Sequence, residues 1–218
     1  MTSQIAFLDD SVGRYLADHT TPPTPVEQRL IDETQRLTHA AMQIGHPQAQ
    51  FMTMLARLLQ PKLAIEIGTF TGYSALVVAK ALAPDGRLIA CDVSDEWTSI
   101  GKPYWAEAGV ADRIDLRIGP ASETLASLDA GTTVDMAFID ADKPGYIGYF
   151  EQLVPLLGRR GVILVDNVLW NGHIVDRGDQ QADTVALRRF NEHVLDDPRV
   201  DVAMLPVGDG VSMITLAG

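Results

Sequence analysis

Cysteine is almost missing from this chain: among 218 residues there is one, Cys91. A lone thiol excludes an intramolecular disulfide and a thiolate metal cluster. Its place in the apolar run Leu88-Ile89-Ala90-Cys91 reads as a buried strand position and not as a reactive group. Positive charge is scarce as well, with 17 Lys and Arg against 29 Asp and Glu and a net charge of -12. The absence of a basic stripe argues against nucleic acid as a partner, and acidic substrates are repelled at long range. No apolar run approaches the roughly 20 residues that span a bilayer. The start, Met1-Thr2-Ser3-Gln4, lacks a basic segment followed by an apolar one, so no secretory signal and no membrane partner are expected, and the cytoplasm is the default compartment. Repeats and low-complexity segments are lacking too. What is present, 46% hydrophobic residues, suits one sizeable core, and a single domain over residues 1–218 is expected.

The first ~60 residues read as helices. A weakly amphipathic stretch, Ile5 to Leu16, is interrupted by Gly13 and ends at Thr20-Thr21-Pro22-Pro23. Thr24-Pro25-Val26-Glu27 then has the form of a capping box with Pro at the first helical position, predicting a helix from about Pro25 to Met42. A third helix is predicted after Pro47, with Phe51, Met54, Leu55, Leu58 and Leu59 as a core-facing stripe. From Leu63 the pattern changes to short apolar runs separated by helical stretches, as in a parallel sheet covered on both faces. The runs are Leu63 to Ile67, Arg87 to Asp92, Ile114 to Ile118, Val134 to Ile139 and Val162 to Val165. Helices are expected near Ser74 to Leu82, Asp95 to Ala108, Ser122 to Leu128, Tyr146 to Leu157 and Thr184 to Leu195. Two closing runs, Val200 to Leu205 and Val211 to Leu216, flank the turn Gly208-Asp209-Gly210 and predict an antiparallel pair at one end of the sheet. The fold class is therefore α/β: a Rossmann-like, seven-stranded, mostly parallel sheet with an N-terminal helical extension.

The first strand ends in Glu66-Ile67-Gly68-Thr69-Phe70-Thr71-Gly72-Tyr73-Ser74, a tight turn at the carboxyl edge where open α/β sheets bind ligands. A third glycine at the dinucleotide spacing is missing, and Glu66 repels a pyrophosphate. A cationic or polar ligand fits better, although a plain strand-to-helix turn has the same form. Asp92, at the end of the second strand, is placed to accept hydrogen bonds from ribose hydroxyls or to cap the next helix. Together these positions point to a nucleoside cofactor without phosphates.

The fourth strand ends in Phe138-Ile139-Asp140-Ala141-Asp142-Lys143 and the fifth in Leu164-Val165-Asp166-Asn167. If these strands are neighbours, their ends lie roughly 4.8 Å apart and Asp140, Asp166 and Asn167 converge. Three oxygen donors without Cys or His suit a hard cation such as Mg²⁺; helix capping is the alternative. Lys143 is placed to reach the same site, where a neighbouring cation and desolvation lower a lysine's pKa and make it a base. The five histidines show no ligand spacing and are expected to be solvated or capping residues.

On these motifs, with Gly119-Pro120-Ala121, Asp166-Asn167-Val168-Leu169-Trp170 and Asp197-Pro198-Arg199-Val200 leading to Gly208-Asp209-Gly210, the sequence resembles the cation-dependent O-methyltransferases of the caffeoyl-CoA and catechol type. The likeness runs from about residue 24 to the end, and the bacterial small-molecule branch looks nearest. It implies S-adenosylmethionine held by Ile44, Glu66, Gly68, Thr69, Ser74, Asp92 and Ala121, with Asp142 nearby. It also implies a metal on Asp140, Asp166 and Asn167, Lys143 beside the reacting hydroxyl, and a homodimer. Mg²⁺ is the first expectation for the ion, with Mn²⁺ or Ca²⁺ as alternatives. Plant members that use CoA esters carry basic residues near the N-terminus and an Arg-rich end, whereas this chain has Thr20 to Pro25 and finishes Met213-Ile214-Thr215-Leu216-Ala217-Gly218. A small catechol-like phenol is therefore expected as the acceptor, with Trp170 as an apolar wall for its ring. The rival readings are a nicotinamide-dependent dehydrogenase on the same kind of sheet and a non-catalytic binding protein. The missing glycine and the metal cluster oppose the first, and the full set Asp140, Lys143, Asp166 and Asn167 opposes the second.

Overall fold

Hydrogen-bonding side chains set the starts of the first two helices. The computed structural model describes residues 9–218. The stretch expected from Ile5 to Leu16 lies partly outside them, and its described part is helix α1, Asp10–Asp18, with Asp9 as N-cap accepting from the Ser11 N–H. Helix α2, Pro25–Thr34, begins at the expected capping box. The Thr24 N–H donates to Glu27 Oε2 at 2.7 Å, and Lys80 Nζ donates to Glu27 Oε1 at 2.6 Å. The helix stops earlier than the periodicity predicts, and only a short 3₁₀ turn, Ala40–Met42, follows. Thr34 is fully buried and donates to Thr71 Oγ1 at 2.8 Å, which fixes the end of α2 on the loop after the first strand and turns the chain there.

Helix α3, His46–Leu59, forms as expected but rolls to another face. Its buried residues are Gln48, Ala49, Met52, Thr53 and Ala56, while Met54 and Leu58 are exposed. The small side chains let the helix backbone lie close to the core, and Phe51, Leu55 and Leu59 pack at its margin.

The remaining elements alternate as predicted: β1 Leu63–Ile67, α4 Tyr73–Ala79, β2 Arg87–Asp92, α5 Asp95–Glu107, β3 Ile114–Ile118, α6 Ala121–Ala126, β4 Val134–Ile139, α7 Tyr146–Leu153, β5 Leu157–Val165, α8 Ala182–Leu195, β6 Val200–Leu205 and β7 Val211–Leu216. Strand β5 begins five residues before the predicted run, because Leu157 pairs with Val134 ahead of a register shift. Gly158 and Gly161 hide that segment from an apolar count. The sheet order is β3-β2-β1-β4-β5-β7-β6. Strands β1 to β5 are parallel, and β7 pairs antiparallel with both β5 and β6. One apolar cluster lies under α2 to α5 and another under α6 to α8, so both faces of the sheet are covered. Among the described residues no helix is long and apolar enough to cross a membrane.

Candidate active site

The parallel ladder continues past the strand ends, and that continuation builds the site. The Gly68 N–H donates to Cys91 O at 2.9 Å, the Asp140 N–H to Ile67 O at 2.8 Å and the Asp166 N–H to Ile139 O at 2.9 Å. Gly68, Asp140 and Asp166 thus follow one another along the carboxyl edge in register, roughly one strand spacing apart. Gly68 has φ +92, and a Cβ there would collide with the Asp140 carbonyl, so glycine is required both by conformation and by the approach of β4.

On the β1 and β2 side, Glu66 and Thr69 are each 2% exposed. Thr69 Oγ1 donates to Glu66 Oε2 at 3.3 Å. Burial pushes the Glu66 carboxyl up to about 8, against hydrogen bonds from Ser74 and Thr69. Asp92 Oδ2 accepts the Thr69 N–H at 3.0 Å and the Phe70 N–H at 2.7 Å, and Oδ1 accepts the Ser94 N–H at 2.8 Å. Asp92 therefore organises the loop after β1 itself, and its Oδ1 keeps acceptor capacity for a ligand. Ser94, not Asp92, caps α5. Ala121 opens α6 directly after the tip of β3, where the Gly119 N–H donates to Asp92 O. Ile44 is buried just before α3. Asp142 accepts from the Tyr149 hydroxyl at 2.6 Å.

On the β4 and β5 side the predicted cluster is assembled around one lysine. Lys143, 8% exposed, donates from Nζ to Asn167 Oδ1 at 2.6 Å, to Asp140 Oδ1 at 3.3 Å and to the Tyr146 hydroxyl at 2.7 Å. Asp166 is buried, and its Oδ1 accepts the Asn167 N–H at 2.7 Å. Burial pushes the carboxyls of both Asp140 and Asp166 upward; Asp140 raises Asp166 further, and Lys143 pulls both back. Neither aspartate is a helix N-cap, so the capping alternative fails here. Asn167 and Trp170 lie at φ 60 and φ 46, left-handed conformations that non-glycine residues hold only where their surroundings enforce them. Trp170 stands with its ring 5.6 Å from Lys143 Nζ.

Three participants escaped the sequence reading. Tyr146, fully buried, accepts from Lys143 and donates to the Asp166 carbonyl at 3.2 Å. Burial and the nearby aspartates raise its phenol well above the ordinary range, so it stays a neutral donor. Its position three residues after Lys143 was the available signal. Asp209 accepts from the Asn171 N–H at 2.6 Å, and burial raises its carboxyl against the opposing influence of the Asn171 N–H, Lys143 and the Asn167 side chain. Gln48 donates to Asp166 Oδ2 at 2.8 Å, and only its burial on α3, not its spacing, marks it.

The histidines are less idle than expected. His46 bridges the Tyr73 hydroxyl and the Thr21 carbonyl, at 2.7 Å each. His193 joins Glu151 and Asp197 in a group whose ligand atoms lie within 4.8 Å of one another. Arg199 bonds both of those carboxylates, so the group is an ion-pair clasp between α7, α8 and the start of β6. Beside Lys143, a cleft of about 410 Å³ is lined by Pro144, Ile147, Gln180, Val185 and Arg189 among others.

Known proteins resemble this chain in sequence and in fold. The sequence profile of the O-methyltransferase family matches residues 18–216. The chain is 40% identical over 212 residues to a Dictyostelium discoideum protein named probable caffeoyl-CoA O-methyltransferase 2, covering 95% of this chain and 92% of that one. It is 37% identical over 209 residues to the mouse catechol O-methyltransferase domain-containing protein 1, covering 94% and 79%. Among solved structures, an SAH-bound methyltransferase of Podospora anserina superimposes with a TM-score of 0.86 at 30% identity, covering 96% of this chain and 95% of the other.

Proposed function

We propose that this chain, which belongs to the O-methyltransferase family and is an S-adenosylmethionine-dependent enzyme, methylates one hydroxyl of a catechol-like small phenol with the help of a divalent cation. The observation that carries this reading is the convergence of Asp140, Asp166 and Asn167 around Lys143. Buried Asp166 and partly buried Asp140 share one ammonium there, so with both carboxyls ionised the cluster carries negative charge in excess. The donors are all oxygen, a set that fits a hard cation such as Mg²⁺, with Mn²⁺ or Ca²⁺ as alternatives. Asp140, Asp166 and Asn167 would hold the ion. When bound, such an ion supplies Lewis-acid polarisation of adjacent phenolic oxygens.

S-adenosylmethionine supplies an electrophilic methyl group. Ile44, Glu66, Gly68, Thr69, Ser74, Asp92 and Ala121 are the proposed cofactor residues, with Asp142 at their margin. Glu66 offers a buried anion to a cationic group, and Asp92 Oδ1 offers an acceptor to a hydroxyl. Lys143, in its neutral amine form, is the proposed base. Tyr146 and Asn167 hold its Nζ in place, so that the amine lone pair takes the phenolic proton, giving the ammonium, as the new O–C bond forms and the S–C bond breaks. Trp170 provides the wall against which an aromatic ring lies. A small phenolic partner and a cytoplasmic homodimer belong to the same reading.

Methyl-transfer rates with S-adenosylmethionine and Mg²⁺ on catechols, matched monophenols and caffeoyl-CoA test the acceptor class. Turnover of the small catechols, with monophenols at least about tenfold slower, is expected. Equal rates on catechols and monophenols would refute it, and a preference for the CoA ester would move the acceptor to the class named in the relatives.

A further inference from the structure

We infer that Gln48 is a positioning residue that orients Asp166 within the cation cluster, an inference that rests on the metal reading above. Gln48 lies in the first turn of α3 and is 3% exposed. Its Nε2 donates to Asp166 Oδ2 at 2.8 Å across 118 positions of sequence, while Asp166 Oδ1 accepts the Asn167 N–H. Each oxygen of this carboxylate thus has one donor, and the plane of the group is fixed while lone pairs remain on both.

The other end of the amide is accommodated as well. A Cβ on Gly208 would collide with Gln48 Oε1, and Gly208 has φ +58, so the turn between β6 and β7 leaves room for the amide where another residue would displace it. The rest of the buried face of α3 is Ala49, Met52, Thr53 and Ala56, positions that fill space. Gln48 alone on that face reaches a carboxylate of the cluster.

The chemistry explains why an amide stands here. A lysine at this position would neutralise Asp166 and compete with a cation for it. A glutamine donates without adding charge. Lys143 already holds the other two oxygen donors, Asp140 and Asn167, so the cluster is oriented from two directions: by Lys143 from the β4 end and by Gln48 from the N-terminal helices. Outer partners of this kind set ligand geometry, and their loss typically weakens metal binding by 10–100-fold.

The test is direct binding of Mn²⁺, followed by electron paramagnetic resonance, to the wild-type chain and to Gln48→Met and Gln48→Leu, with S-adenosylhomocysteine affinity measured in parallel. The expected result is Mn²⁺ affinity at least about tenfold weaker in both variants, with S-adenosylhomocysteine affinity unchanged within twofold. A purely structural role would weaken both ligands together and would overturn the inference, as would Mn²⁺ affinity within twofold of wild type. Should the branched Leu fail to fold, the unbranched Met variant decides; loss of S-adenosylhomocysteine binding in both assigns Gln48 to folding and overturns the inference. A wild-type chain that binds no Mn²⁺ contradicts the metal reading itself, an outcome distinct from wild-type binding that the variants leave unchanged.

Discussion

Glu66 shows how a single residue links fold and ligand. Its carboxyl is buried and pushed up to about 8. A folded-state value above the unfolded one contributes stability that is fully present below about 4.5 and is lost as the pH rises through about 8. Glu66→Gln is therefore expected to melt several degrees above wild type at pH 9 and to lose that advantage toward pH 5, which thermal melts across this range will read. An advantage independent of pH would contradict the assignment. Lys143 belongs to the same scale: Lys143→Ala is expected to lower kcat by about 10²–10⁴-fold while leaving S-adenosylhomocysteine affinity near wild type. A wild-type rate at every pH would remove Lys143 from the chemistry. The residues that announced themselves in the sequence, Glu66, Asp92, Asp140, Asp166 and Asn167, all sit where an apolar strand run ends. Asp209 and Gln48 did not, because each acts through a contact that no local pattern encodes, and Tyr146 offered only its spacing from Lys143.

At the scale of elements, apolar runs located five parallel strands and the closing pair, since strands buried on both faces leave few alternatives. Helical faces were harder to read. Helix α3 carries apolar residues around most of its circumference, so periodicity selected Met54 and Leu58, whereas small residues decided which side meets the core. The end of α2 was set by a hydroxyl contact with Thr71, 37 positions away. The capping box was legible because its logic is local. Glu27→Ala removes the acceptor for the Thr24 N–H and leaves Lys80 without its carboxylate, and is expected to lower unfolding free energy by about 1–2 kcal/mol in urea titrations. An unchanged midpoint would mean that the box contributes nothing to the docking of α2.

For the whole molecule, sheet order is what turns separate motifs into one site. Strands β1 and β4 are neighbours although 72 positions of sequence separate their paired residues, as in Ala64 and Met136, and this adjacency brings the Glu66 loop beside the Asp140 cluster. The charge balance of the molecule favours a cation as well, with a net charge of -12. A ligand that binds only the folded chain stabilises it by mass action, about 2.7 kcal/mol at a hundredfold excess over Kd. Mg²⁺ or Mn²⁺ is accordingly expected to raise Tm by several degrees in wild type and not in Asp166→Ala. The central claim, a methyl transfer that needs both the cluster and a cation, is tested most directly by initial rates on a catechol with S-adenosylmethionine in excess EDTA, followed by stepwise addition of Mg²⁺. Nearly all turnover is expected to vanish in EDTA and to return with Mg²⁺; a full rate in EDTA would overturn the requirement for a cation.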